Sequence, residues 1–376
     1  MKKNSVCILT ETDLNNYGNR LQNVALSLFL EKRFNVVCKT LWPIIPPSLY
    51  HKIGYISRSI VAYLKIHLLK RNKFELVRHQ KFVFFNRNIR KNWSLLMPFR
   101  SLAIANNHFD SFVVGSDQVF SDQFGIPDVL ASLSFAPVAK RFTYAASIGN
   151  NPLSIDKYRL VCQELSHFHA ISVRERKSVE DIKKYTSSKI SVNVDPAFLL
   201  TKDEWRSLCE GKISAKTKDI AKNPYLLVYW LGDETSEIKQ IIKNRARCLG
   251  LSIVTLRTNS TDSENTYIDS GPYDFVYLMD HASFVVSKSF HGTVFALVFN
   301  KPFISFDPAF NSNSKQIKDN RLANLQNIFK LPISCFDLRN KENPKLDWAE
   351  INKIIVSERE KTFLYFAQNG FPKKDC

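Results

Sequence analysis

The sequence predicts an α/β protein built from two doubly wound, Rossmann-like domains facing each other across a cleft. Short β-rich runs alternate with helical patterns along nearly the whole chain, which is the signature of parallel sheets wrapped by helices. At 376 residues the chain is too long for one ordinary core and suits two. A polar, lysine-rich stretch at 211–224 (GKISAKTKDIAKNP) lacks an apolar period and divides the pattern in two.

The elements follow in order. Residues 5–10 read as a strand and 11–18 as a loop. A helix begins at Asn19, with Leu21, Val24, Ala25, Leu28 and Phe29 on one face. After an excursion at 51–100, further strands are expected at 112–114, 142–146, 170–173 and 190–194, closing a first domain of residues 1–210. Beyond the linker, a second domain at 225–345 alternates a strand at 225–231, a helix at 235–249 and a strand at 251–256. It continues with a helix at 272–281, a strand at 284–287, a helix at 291–299 and a strand at 302–306. The tail at 346–376 is helical in pattern from 347 to 368 and is expected to pack back across the first domain.

Composition narrows the function classes. Apolar residues make up 44% and aromatics 12%, which excludes a disordered or fibrous chain. The N-terminal apolar stretch, Val6 to Leu9, is half the length of a signal-peptide core, and no window is long and apolar enough to span a bilayer. Seven cysteines stand singly with no C-x-x-C spacing, which argues against a disulfide framework and a zinc site. A reducing, cytoplasmic setting is expected, with no metal.

The net charge of +18 is uneven. Residues 51–100 carry twelve Lys and Arg against the single acid Glu75. Ile56, Ile60, Tyr63, Leu64, Ile66, Leu68 and Leu69 are interleaved with these bases, as in an amphipathic helix on the inner face of the plasma membrane. A solvated helical excursion explains the same pattern. No nucleic-acid module is visible, so nucleic acid is not an expected partner.

Ligands of doubly wound sheets bind outside the carboxyl ends of the strands, which selects the loops that carry chemistry. Ser287-Lys288-Ser289-Phe290-His291-Gly292-Thr293 leaves a strand and opens a helix. Such a helix mouth favours an anion, Gly292 admits close approach to the backbone, and His291 can move a proton. Alternatively, Ser289 caps the helix and His291 is a core residue. Val114-Gly115-Ser116-Asp117-Gln118 ends another strand, where Asp117 either accepts a proton from a sugar hydroxyl or caps a turn. Arg174, in Arg174-Glu175-Arg176, either grips a phosphate or carboxylate or forms an ordinary ion pair. Asn16, Tyr17 and Asn19 lie in an amide-rich loop suited to sugar hydroxyls, or to a helix cap. The chain has no G-x-G-x-x-G, Walker loop or G-x-S-x-G.

Six of these segments occur in an order that resembles the polysaccharide pyruvyl transferase family. They are Asn16-Tyr17-Gly18-Asn19, Val114-Gly115-Ser116-Asp117-Gln118, Tyr144-Ala145-Ala146-Ser147, Ser172-Val173-Arg174-Glu175, Val194-Asp195-Pro196 and Ser289-Phe290-His291-Gly292. The resemblance implies a fold like the GT-B glycosyltransferases. It also implies transfer of pyruvate from phosphoenolpyruvate, as a ketal, to a lipid-linked or nucleotide-linked sugar during cell-surface polysaccharide synthesis, as in a capsule or exopolysaccharide. No cofactor is implied beyond this co-substrate.

By the same resemblance, the first domain holds the acceptor and the second the donor. Asp117 is the acceptor base, with Asn16, Tyr17, Asn19 and Gln118 around the sugar. His291 is the acid or electrostatic partner at the donor, with Arg174, Lys288, Ser289, Gly292 and Thr293 binding it. The family's motif usually carries Arg where this chain has Ser289, with Lys288 one place earlier. A glycosyltransferase using a nucleotide sugar and a non-catalytic sugar-binding protein are the competing expectations.

Overall fold

The short apolar runs become parallel strands, and the residues that flank them cap and terminate the intervening helices. The computed structural model describes residues 3–11, 16–44, 73–121, 126, 128–149, 155–257, 269–307, 310 and 316–374. The chain divides into two compact units, Met1–Asn193 with Phe363–Cys376, and Val194–Thr362. Residues 51–72 of the basic excursion lie outside the described residues.

The first unit runs β1 (Asn4–Leu9), α1 (Tyr17–Arg33), β2 (Val36–Ile44), α2 (Lys73–Trp93), β3 (Ser94–Pro98), β4 (Ser111–Val114), α3 (Asp128–Ala131), β5 (Arg141–Thr143), α4 (Ile155–Leu165), β6 (Ile171–Val173), α5 (Arg176–Ile182) and β7 (Ile190–Val192). Five strands form a sheet in the order β3-β2-β1-β4-β5, and β6 and β7 form a pair. All the pairings are parallel. Parallel bridges at Phe142 to Ala170 and Ala146 to Val173 lead from β5 towards β6. The core beneath the sheet gathers Leu9, Phe112, Val114, Phe120, Leu165 and Ile171.

The second unit runs α6 (Lys202–Cys209), α7 (Ala215–Ile220), β8 (Tyr225–Trp230), α8 (Ser236–Leu249), β9 (Ser252–Arg257), α9 (Pro272–His281), β10 (Phe284–Ser287), α10 (Phe290–Val298), β11 (Phe303–Ser305), α11 (Asn320–Phe329) and α12 (Trp348–Gln368). Its parallel sheet has the order β11-β10-β8-β9. Local chemistry sets the boundaries of α8: Thr235 Oγ1 accepts from Ile238 N at 3.3 Å, and Gly250 closes the helix in the left-handed region at φ 64°.

Residues 211–224, expected as a linker, lie within the second unit and include α7. Its N-cap is Ser214, and Thr217 Oγ1 donates to Asp274 of α9 at 2.9 Å. Polar side chains rather than an apolar stripe tie this helix in, so hydrophobic periodicity does not reveal it. The tail from Phe363 onward belongs to the first unit. There Phe34 is surrounded by the rings of Phe363, Phe366 and Phe371, and Tyr365 Oη donates to Thr143 O at 2.7 Å.

Among the described residues, no helix is long and apolar enough to cross a membrane. Cys7, Cys38, Cys162, Cys209 and Cys335 are buried free thiols. Burial pushes Cys209 and Cys335 up to about 12.

One backbone position constrains the first unit sharply. Gly115, immediately after β4, has φ 127°, and a Cβ placed there would lie 2.2 Å from the carbonyl oxygen of Tyr144. Gly115→Ala therefore combines a disfavoured φ with a clash against backbone, and should destabilise the protein by about 2–4 kcal/mol. Denaturant titration should show a lower midpoint at unchanged slope.

Candidate functional site

The larger sheet of each unit reverses its strand order at one point, and it is at the carboxyl ends beside such a point that doubly wound sheets bind ligands. In the first unit the reversal falls between β1 and β4. The loop after β4 is held by three side-chain contacts. Thr10 Oγ1 donates to Ser116 O at 2.9 Å, Gln22 Nε2 donates to Thr10 Oγ1 at 2.8 Å, and Ser116 N donates to Gln22 Oε1 at 3.3 Å. Asp117 itself sits at φ 65°, a conformation that Asp tolerates better than most residues.

Asp117 is buried, with 4% of its surface exposed, and its Oδ1 lies 3.6 Å from Arg174 Nη2. Arg174, 2% exposed, also donates from Nε to Glu175 Oε1 at 3.2 Å. Ser147 Oγ donates to the same Oε1 at 2.5 Å and accepts from Gly149 N at 3.0 Å. One guanidinium is thus set between two carboxylates, and the cluster carries more acid than base. Glu175 Oε2 is buried with no hydrogen-bond partner among the described residues. Arg174, expected at the donor, holds these carboxylates in the first unit.

The residues expected around the acceptor divide by role. Asn16 caps α1, accepting from Asn19 N at 3.3 Å. Tyr17 is fully buried, its ring centroid 5.2 Å from that of Phe82 and covered by Arg78 at 4.7 Å, so it is a packing residue. Asn19 Nδ2 donates to Glu11 Oε2 at 2.9 Å. Gln118 is half-buried and lies over Gly149, where an added Cβ would come within 2.4 Å of its Oε1.

In the second unit the reversal falls between β8 and β10. Lys288, at the end of β10, is half-buried, with Nζ 5.6 Å from the centroid of the Trp230 ring. A Cβ at Gly232, two residues past β8, would lie 3.8 Å from that Nζ. Ser289 is the N-cap of α10 but makes no side-chain capping bond. Thr293 Oγ1 is within 2.7 Å of Ser305 Oγ and is fully buried, tying α10 to β11.

Gly292 serves packing. A Cβ there would fall 2.1 Å from Ser287 Oγ and 3.0 Å from Tyr229 Cδ1, so its face of the helix is taken by β10 and β8. His291, 6% exposed, places Nε2 3.5 Å from Asp195 Oδ2. The Asp195 side chain is fully buried, and its Oδ1 accepts from Ala197 N at 3.0 Å. Among the described residues, no group of three or more His, Cys, Asp or Glu is arranged to hold a metal ion.

The arrangement therefore offers two sets of groups: a carboxylate at the end of β4 and an imidazole with a lysine where β10 enters α10. The sequence reading had not assigned roles to Ser147, Glu175 and Asp195. All three occur in the segments that carried the family resemblance, and that was their available signal.

The profile of the polysaccharide pyruvyl transferase family matches residues 16–309, most of the chain. The chain belongs to the polysaccharide pyruvyl transferase family. No curated protein matches this transferase in sequence. Among solved structures, a candidate UDP-N-acetylglucosamine 2-epimerase from Listeria monocytogenes is 11% identical, with a TM-score of 0.50 over 100% of both chains. The UDP-GlcNAc 2-epimerase from Neisseria meningitidis is 13% identical, with a TM-score of 0.46 over 95% of this chain and 100% of its own. The wall teichoic acid polymerase TagF is 11% identical, with a TM-score of 0.44 over 98% and 84%. At such identities the likeness concerns the fold, and this pyruvyl transferase family member has the Rossmann-like α/β architecture of the GT-B class.

The buried cluster yields a stability prediction. Arg174→Ala would leave Asp117 and Glu175 as uncompensated carboxylates and should cost about 3–5 kcal/mol. Thermal and denaturant melts of the variant measure this directly, and a loss below about 1 kcal/mol would show that Arg174 is not needed to bury the pair.

Proposed function

We propose that this transferase moves pyruvate from phosphoenolpyruvate onto two hydroxyls of a lipid-linked or nucleotide-linked sugar, forming a ketal during cell-surface polysaccharide synthesis. The observation that carries the reading is the segregation of charge in a member of this family. Two acids share one guanidinium around Asp117, whereas at His291 the single carboxylate of Asp195 is met by Lys288 and the positive end of α10. An anionic donor is repelled by the first set and attracted by the second, and neutral hydroxyls favour the reverse. The buried free thiols support a reducing, cytoplasmic setting.

In this reading His291 delivers a proton to the methylene carbon of phosphoenolpyruvate, which becomes the methyl group. Positive charge then develops at C2. One sugar hydroxyl attacks C2 as Asp117 takes its proton, phosphate leaves with the C–O bond electrons, and the second hydroxyl closes the ketal. Two hydroxyl protons are lost: one balances the proton placed on carbon, and the other departs with phosphate. In this reading Asp195 Oδ2, 3.5 Å from His291 Nε2, steadies the ring by its charge.

Ser289 in place of the family's usual Arg favours a second reading, glycosyl transfer from a nucleotide sugar. Purified protein incubated with phosphoenolpyruvate and candidate sugars should release phosphate and yield an acceptor heavier by one pyruvate ketal. Nucleotide release from a sugar donor, without phosphate from phosphoenolpyruvate, would select the second reading.

Asp117→Asn and His291→Ala should each lower turnover by about 100-fold or more with folding intact, and normal turnover of both would refute the assignment and favour mere sugar binding. Asp195→Asn keeps the oxygen that accepts from Ala197 N, so kcat should fall while KM and melting temperature change little. Asp195→Ala also loses that cap and should be destabilised by about 1 kcal/mol.

A further inference from the structure

We propose that the outward face of α2 in the first unit is a docking surface for an anionic membrane. The helix is basic along its length: Lys73, Arg78, Lys81, Arg87, Arg90 and Lys91 stand against Glu75 alone. Among the described residues, its inward face packs into the first unit. Phe82 and Phe85 are completely buried, and Arg78 turns inward over the ring of Tyr17.

The outward face has a different composition from an ordinary solvated helix. Val77, Val83 and Phe84 are 38%, 40% and 52% exposed. Val77 and Phe84 are seven residues apart and share a face, Lys81 lies between them in the helical rows, and Arg87 is exposed three residues beyond Phe84. Single exposed apolar side chains are ordinary. Three within eight residues, interleaved with cations, form the mixed apolar and basic face that lies in a headgroup region.

Charge selects the occupant. A second copy of a chain carrying +18 is repelled, whereas an anionic bilayer attracts the cations and accepts the apolar side chains. A polyanion such as nucleic acid satisfies only the cations, so its binding would not depend on Val77 or Phe84. The proposal stands apart from the transfer chemistry and holds for either donor.

The test is flotation of the full-length protein with phosphatidylcholine vesicles, with and without phosphatidylserine. The protein should float with the phosphatidylserine vesicles and bind them about tenfold or more tightly than phosphatidylcholine alone. Val77→Ser/Phe84→Ser and Lys81→Glu/Arg87→Glu should each weaken that binding about tenfold or more, with melting temperature and turnover on a water-soluble acceptor unchanged. Failure of the wild-type protein to float, or undiminished binding by the Val77/Phe84 variant, would overturn the proposal. A concentration-dependent dimer abolished by that variant would assign the face to a second copy instead. Loss of melting temperature in the variant, without vesicle binding by wild type, would assign it to a segment of the same chain.

Discussion

A carboxylate buried at the end of a parallel strand must be compensated, and the first unit depends on the way Arg174 does this. The guanidinium meets Asp117 at 3.6 Å and Glu175 at 3.2 Å, with all three side chains almost wholly out of water. Two acids on one base leave the cluster short of positive charge. Ser147 supplies part of the deficit by donating to Glu175, and its own backbone N–H donates to Asp117 O at 3.0 Å. The loops after β4, β5 and β6 are thereby joined by charge and hydrogen bonds, so the position of Asp117 is set by three strands together. Such fixed geometry suits a group that must meet one hydroxyl at one distance.

The second unit reaches comparable rigidity by packing. The absent side chain of Gly292 brings α10 against Ser287 and Tyr229, and the Thr293 to Ser305 contact fastens the same helix to β11. Gly292 and Thr293, which the resemblance implies at the donor, also hold the helix mouth still. His291, one position before Gly292, takes its placement from them, and its Nε2 lies 3.5 Å from Asp195 Oδ2. The candidate site residue and the close packing thus share neighbouring positions of one turn.

Strands β8 to β11 and helices α8 to α10 were legible from apolar runs and periods, since β8 is apolar and buried throughout and α8 carries one apolar face, whereas α6 and α11 were not. Strand β2 was not legible. It mixes Lys39 and Thr40 with apolar residues and runs directly into the basic excursion, so no alternating signal stands out. Helix α7 was hidden for a related reason, since its attachments are Ser214 and Thr217 to Asp274. At the candidate site, the pattern singled out Asp117 and His291 as candidates but not what surrounds them. Spacing cannot show that Tyr17 is covered by Arg78, sixty residues onward, or that Asp195 lies beside His291. Those facts depend on tertiary approach between segments far apart in sequence.

The substitution at Ser289 bears on the donor through geometry. Successive residues leaving a strand point in different directions, so a lysine one place earlier cannot occupy the line of an arginine at the next position. Here Lys288 reaches from the end of β10 towards the end of β8, with Trp230 on one side and Gly232 leaving room on another. The cation therefore stands where the sheet reverses order, the position at which such sheets receive ligands. Lysine acts there as a point charge, whereas the usual arginine would offer a bidentate fork. In the proposed reading a phosphate or a carboxylate is attracted by this charge, and its orientation falls to the mouth of α10 and to His291. In the proposed reading, discrimination between donors then rests on the shape of one helix end rather than on a planar clamp.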